Sequence, residues 1–351
     1  MSALPKLWMR HEVRLTERRA PIVPADAGEL VRAGIAVTVE ESSHRCFPIE
    51  DYAAAGCRVV PAGSWPQAPL DEYVIGLKEL PEQPAELRHR QVYFGHAYKD
   101  QPGSATLLRR FLAGGGALLD IEYLTDERGR RLAAFGYWAG YIGAALAVLH
   151  YRGQLDGPLQ SGSRAELDDR LRAGGAGEPA ALVIGALGRS GRGACDALAV
   201  AGVASTEWDV AETADLDRAA LIGHDLLINT VLVSSPVPPF LTTAELADPN
   251  RRLSVVCDVT CDVGSPFNVL PIYDQLTSWP QPARRLSDSP PLDLIAIDNL
   301  PALLPEPASV AFSAELTPQL RLLGDDSGPW SGCLRRFEQA CQGLGMEVSD
   351  G

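Results

Sequence analysis

Residues 181–202 read ALVIGALGRSGRGACDALAVAG. A short apolar run, Ala181 to Ile184, meets a glycine turn, and an Ala-rich amphipathic stretch follows, so the segment reads strand, turn, helix. Gly185, Gly188 and Gly191 stand at i, i+3 and i+6, a variant of the GxGxxG dinucleotide fingerprint. The tight turn needs a residue without Cβ, and a pyrophosphate must reach the backbone amides at the helix N-terminus. The next strand-like segment, VASTEWDV (203–210), carries Asp209 at its end. A carboxylate there accepts both adenosine-ribose hydroxyls and repels a 2′-phosphate. Strand, loop, helix and acidic strand end together predict a nucleotide site that prefers NAD to NADP. Arg189, inside the loop, reads either as a phosphate contact or as a solvated arginine.

Outward from this loop the same alternation recurs. DLLINTVL (225–232), LSVVCDVT (253–260) and LDLIAID (292–298) continue the strands of the second half. In the first half LWMRHE (7–12), AVTVEE (36–41), CRVVPA (57–62), EYVIGLKE (72–79), QVYFGHAY (91–98) and GALLDIEYL (116–124) read as strands. ADAGELVRAG and SATLLRRFLAGGG read as helices stopped by glycine. Such alternation predicts an α/β fold of mostly parallel sheets with helices on both faces. Residues 151–179, richer in Gly, Pro and charge, read as a connector with one short helix.

The composition narrows the function classes. Against 45 Asp+Glu stand 31 Lys+Arg, for a net charge of −14, which argues against nucleic-acid or anionic-membrane surfaces. AAFGYWAGYIGAALAVL (133–149) falls short of the ~20 residues a membrane span needs and reads as a buried helix. The seven cysteines form no CxxC pair, so reduced thiols are expected, and no metal-ligand spacing stands out. The N-terminus has charges where a signal peptide has an apolar core, and EVSDG is no targeting tripeptide; a cytoplasmic location is expected.

Open α/β sheets bind ligands at the C-terminal ends of their strands. In the first half those ends carry Lys78 and Glu79, then His96 and Lys99, then Glu122, with Arg130 and Arg131 close behind. A single such residue is ordinarily a solvated or structural group. Three successive strands ending in ionisable side chains converge in space and suit proton transfer: histidine exchanges protons near neutrality, and a buried lysine becomes a usable base. Arginines nearby grip carboxylates in bidentate fashion.

The segments RAPIVPADAGELVRAG, PAGSW…IGLKELPE, GHAYKDQ, GRRLAAFGYWAGYIGAAL, VIGALGRSG and AIDNLPALLPEPAS resemble the NAD-dependent, lysine-forming saccharopine dehydrogenases of fungi, within the wider alanine dehydrogenase family. The resemblance runs from about Leu7 to about Gly343. It implies two Rossmann-like domains with the active site in the cleft between them: 1–137 plus 315–351 for substrate and catalysis, and 138–314 for NAD. It further implies Lys78 and His96 as the acid–base pair, with Glu79 and Glu122 tuning them. Arg19, Lys99, Arg131, Phe135, Thr260, Cys261 and Asp262 match substrate contacts. Gly185, Gly188, Arg189, Ser190, Gly191, Asp209, Thr213, Leu232, Val259 and Asp298 match cofactor contacts. Departures are Ser190 and Thr230 at cysteine positions of the family, Asn299 at a histidine, and a shorter connector.

The implied reaction splits saccharopine into L-lysine and 2-oxoglutarate, reversibly. Oxidation at the glutamate-derived Cα leaves an imine; a base must take the amine proton, a role for Lys78, and a second group must activate water, a role for His96. The partners implied are small molecules and the resemblance favours a monomer. Three other readings stay open at this point: an opine-type dehydrogenase joining a different amine and keto acid, an alanine dehydrogenase-like enzyme, and a silent NAD-binding protein.

Overall fold

The computed structural model describes residues 4–98, 103–175, 177–233 and 235–344. Two units share the chain: residues up to Ala134 with those from Pro305 onward, and Phe135–Leu304. The chain re-enters the first unit at Pro305 rather than at the expected 315, because Pro305–Leu320 is one helix and stays with one core. Its Ala308, Phe312, Leu316 and Leu320 are buried at a spacing of four residues. From the same helix Ser309 and Ser313 hydroxyls accept the amides of Ala20 (2.9 Å) and Val23 (3.0 Å).

The first unit is built on six parallel strands: β1 Lys6–Met9, β2 Ala36–Glu40, β3 Arg58–Val60, β4 Glu72–Ile75, β5 Arg90–Tyr93 and β6 Ala117–Asp120. Their order is β3-β2-β1-β4-β5-β6, so the winding reverses between β1 and β4. β4 and β6 are buried along their whole length, as strands covered on both faces must be. Helix Pro24–Arg32 opens on a proline, which lacks the amide a first-turn residue leaves unpaired anyway.

The second unit has β7 Ala181–Ile184, β8 Ser205–Trp208, β9 Leu226–Asn229, β10 Val255–Asp258, β11 Arg284–Asp288 and β12 Pro291–Ile295. Their order is β11-β12-β10-β9-β7-β8, parallel except for the β11–β12 hairpin. Sequence reasoning passes over β11, since RRLSD lacks an apolar run; it lies at the sheet edge, where charged residues belong. Helix Gly136–Tyr151 is buried over most of its length, and among the described residues no helix is long and apolar enough to cross a membrane. Its glycines reflect a close crossing with helix Arg189–Val200. A Cβ on Gly140 would lie 1.8 Å from the Ser190 carbonyl oxygen, and one on Gly193 2.0 Å from that of Tyr137. The connector carries helix Arg164–Arg172, opened by a Ser163–Glu166 capping box.

Candidate active site

In the first unit β4 and β5 stay linked beyond their last ladder residues. Gly76 donates to Val92 O (3.0 Å) and Phe94 to Leu77 O (3.3 Å). Lys78 and His96 then follow, each three residues past its strand (75 to 78, 93 to 96), so neighbouring strands deliver the two groups. His96 is half exposed and holds a left-handed backbone, φ 49°. For a non-glycine residue that conformation costs about 1–2 kcal/mol and must be held by its surroundings. Asp120 does the holding: its Oδ2 accepts the His96 amide (3.1 Å), its Oδ1 the Glu122 amide (3.0 Å). The Glu122 carboxylate then lies 3.3 Å from His96 Nδ1. Burial pushes Asp120 up to about 6 against the pull of the Glu122 amide; the Glu122 carboxylate adds to the rise and His96 opposes it.

Around Lys78 the acids divide their work. Glu79, expected to tune the pair, forms a two-bonded fork with Arg14 (3.0 and 3.0 Å) at the surface. Burial would raise its carboxyl, but its own amide, Arg14 and Lys78 hold it below the usual range. Glu17, which sequence reasoning missed, is buried and paired with Arg19 through Nε (2.8 Å) and Nη2 (2.5 Å). Its burial is outweighed by Arg19 and Lys78, which keep it ionised below the ordinary value. Arg19 is therefore a buried guanidinium oriented by Glu17, 3% exposed. In TERRAP, Thr16 and Arg18 are exposed while Glu17 and Arg19 are buried, an alternation set by tertiary packing. Arg10 and Glu12, also missed, are buried beside the Lys78 backbone. Arg131 is exposed, bridged to Thr125 in a turn where Asp126 accepts the Arg128 and Arg130 amides (2.9 Å each). Lys99 lies outside the described residues.

In the second unit the three glycines have separate reasons. Gly185 takes φ 83°, which a side chain rarely adopts, and a Cβ there would fall 2.7 Å from Thr230 Oγ1. A Cβ on Gly191 would sit 2.1 Å from Gly185 O. Gly188 instead caps helix Arg189–Val200 with φ −71°, and a Cβ there would meet Gly185 O alone, at 3.2 Å. Turn geometry and close packing thus account for Gly185 and Gly191. Gly188 has a negative φ and stands just ahead of the first helical amides, donors of the kind that bind a pyrophosphate. Arg189 and Ser190 open that helix; a Cβ on Gly136, in the neighbouring helix, would lie 3.0 Å from Ser190 Oγ.

Asp209 follows β8 and ties it to the turn, its Oδ2 accepting Leu187 N (3.0 Å) and its Oδ1 Val210 N (2.9 Å). Thr213 Oγ1 donates to Asp209 O (2.8 Å), and Leu232, beyond β9, is 53% exposed. Val259 continues β10, its amide donating to Asn229 O (2.9 Å). Next comes the 260–262 loop, held by buried Asp258: its Oδ1 accepts Thr260 N (3.0 Å), Thr260 Oγ1 (2.7 Å) and Asn229 Nδ2 (3.0 Å), its Oδ2 Tyr273 OH (2.6 Å). Cys261 there adopts φ 53°, and burial pushes its thiol up. Asp262 is half-buried, Asp298 exposed, and Phe135 stands at the head of helix Gly136–Tyr151, in this unit.

Family models match both halves: Alanine dehydrogenase/PNT, N-terminal domain, over residues 8–142, and Alanine dehydrogenase/PNT, C-terminal domain, over residues 180–344. The NAD(+), L-lysine-forming saccharopine dehydrogenase of Schizosaccharomyces pombe is 40% identical over 97% of this chain and 99% of its own. That of Neurospora crassa is 40% identical over 95% of each. A solved L-alanine dehydrogenase superposes with a TM-score of 0.68 at 17% identity, covering 96% of this chain and 100% of that one, a likeness of fold.

Proposed function

This chain belongs to the family of NAD(+)-dependent, L-lysine-forming saccharopine dehydrogenases, and from that premise we propose that it splits saccharopine with water into L-lysine and 2-oxoglutarate, reversibly. NAD+, when bound, takes up the hydride released from the glutamate-derived Cα. We assign its pyrophosphate to the amides behind Gly188 and its adenosine ribose to Asp209. Lys78 takes the proton of the secondary amine. His96, steadied by Asp120 and Glu122, deprotonates the water that adds to the imine carbon and returns a proton to the departing ε-amine. The substrate's carboxylates find cations in Arg131, Lys99 and Arg19, the last already oriented by Glu17. Phe135, Thr260, Cys261 and Asp262 are assigned to the rest of the substrate, and Arg189, Ser190, Thr213, Leu232, Val259 and Asp298 to the cofactor.

One observation carries this reading: Lys78 and His96 each lie three residues beyond the end of neighbouring parallel strands, with buried carboxylates behind each. The test is oxidation of saccharopine with NAD+. Equal amounts of NADH, L-lysine and 2-oxoglutarate are expected, and NADH formed without lysine release would overturn the assignment. We further propose a cytoplasmic monomer with small-molecule partners and no nucleic-acid or membrane surface; the net charge of −14 supports the last point. A dimer in sedimentation would overturn the monomer.

A further inference from the structure

The peptide that carries Lys78 leaves the sheet just ahead of it. β1 ends at Met9 and β4 at Ile75, yet Arg10 N still donates to Ile75 O (2.9 Å). Beyond that point a side chain replaces the strand partner. Glu12 Oε1 accepts Leu77 N (2.7 Å) and its Oε2 accepts Lys78 N (3.0 Å). Arg10 closes the other side, donating through Nη2 to the Lys78 carbonyl and through Nη1 to Glu12 Oε2 (3.3 Å) and His11 O (3.1 Å). The amide and the carbonyl of the same lysine are therefore both gripped.

Both gripping side chains are interior, Arg10 1% and Glu12 4% exposed. The Arg10 guanidinium lies 5.6 Å from the ring centre of Tyr93, the last residue of β5, which leads to His96. Gly76 makes room for it, since a Cβ there would fall 2.4 Å from Arg10 Cζ. A buried Arg–Glu pair is a poor way to gain stability, because desolvation offsets the attraction and an apolar pair often does as well. What an apolar pair cannot do is accept two successive amides and donate to the following carbonyl.

We propose that Arg10 and Glu12 are positioning residues, a clamp that fixes the Lys78 backbone on both sides of its Cα and so aims its amine. This rests on the reading of Lys78 as the base. The same clamp, through Tyr93, holds the Lys78 loop in register with the strand that presents His96.

The test is Glu12→Gln, which keeps shape but turns an amide N–H donor toward the Lys78 amide or the Arg10 guanidinium. Without the clamp the lysine is misplaced by a fraction of a bond length or more, and kcat falls by about a hundredfold. Affinity for NADH, held by the other unit, stays unchanged. Glu12→Asp, which retains the charge, recovers part of the loss. The decisive readout is a double-mutant cycle. In a Lys78→Met background Glu12→Gln has no further effect on residual turnover, because the group it positions is gone. A Glu12→Gln enzyme within about twofold of the parent, or one that loses as much again in the Lys78→Met background, would overturn the clamp. Should Glu12→Gln not fold, Arg10→Lys carries the same cycle, since a shorter ammonium lacks the two guanidinium arms that reach the carbonyl and the carboxylate. Full activity in Lys78→Met would sink the base reading and the clamp with it. Lost activity there beside an unaffected Glu12→Gln would sink the clamp alone.

Discussion

Both units hold strand-end loops through carboxylates that accept backbone amides, and they differ in what surrounds those carboxylates. In the first, charged and ionisable groups do it: Glu12 with Arg10, Glu17 with Arg19 and Lys78, Asp120 with the His96 and Glu122 amides. In the second, the backbone and neutral donors do it: the glycine turn packs on itself, Thr230 Oγ1 donates to Ile184 O (2.8 Å), and Asp258 is satisfied by Asn229, Thr260 and Tyr273. The contrast agrees with what each surface is proposed to handle. Moving protons calls for ionisable groups whose charge is balanced by close partners. Holding a pyrophosphate calls for amides with no carboxylate in the way.

The sharpest way to separate the two surfaces is to remove the proton chemistry. Lys78→Met with His96→Gln should lower turnover by about 10⁴-fold or more while leaving equilibrium NADH binding, followed by fluorescence titration, where it was. Loss of NADH affinity to a similar degree would break the division of labour.

Asp120 tests the charged side by pH. Its folded-state value near 6 lies above the ordinary 3.8, so its contribution to stability is complete below the lower value and is lost as pH rises through the higher one. The loss amounts to about 3 kcal/mol. Denaturant titrations from about pH 4 to pH 7 should show this slope, and Asp120→Asn should flatten it. An unchanged slope in the variant would remove Asp120 as its source.

The glycines test the neutral side. Gly191→Ala forces a Cβ against Gly185 O and should cost about 1–3 kcal/mol of stability. Gly188→Ala meets Gly185 O at 3.2 Å and should cost less stability than Gly191→Ala while weakening NADH binding. Equal melting losses in calorimetry would mean that Gly188 is a packing residue after all. Asp209→Ala brings the smallest change, about 1 kcal/mol from the lost cap together with weaker NAD binding and relaxed discrimination against NADP. A cofactor preference that stays put would take Asp209 out of that role.

Much of this was legible in the sequence because it is local. Strand, glycine turn, helix and acidic strand end lie in one continuous stretch, and apolar runs ending in Lys78, His96 or Glu122 announce themselves. The antiparallel β11 stayed hidden because RRLSD carries no apolar pattern and owes its place to pairing with β12. Arg10 and Glu12 were hidden for a different reason. LWMRHE reads as one strand, whereas β1 stops at Met9 and the next residues turn their charges inward toward a peptide 66 residues away. Arg19 was named only through the resemblance, and its buried partner Glu17 went unnamed, because only packing makes the two a pair. Burial of charge is a property of the tertiary fold, and spacing along the chain does not encode it.

The proposed lysine–histidine proton pair serves a reaction between an amino acid's side-chain amine and 2-oxoglutarate. Its most direct test is NADH oxidation in the presence of 2-oxoglutarate, with L-lysine, ornithine, ammonia and other amines offered in turn. Rapid oxidation with L-lysine and near-silence with the others is the expected result. Oxidation that prefers ammonia or another amine, from protein shown to bind NADH, would contradict it.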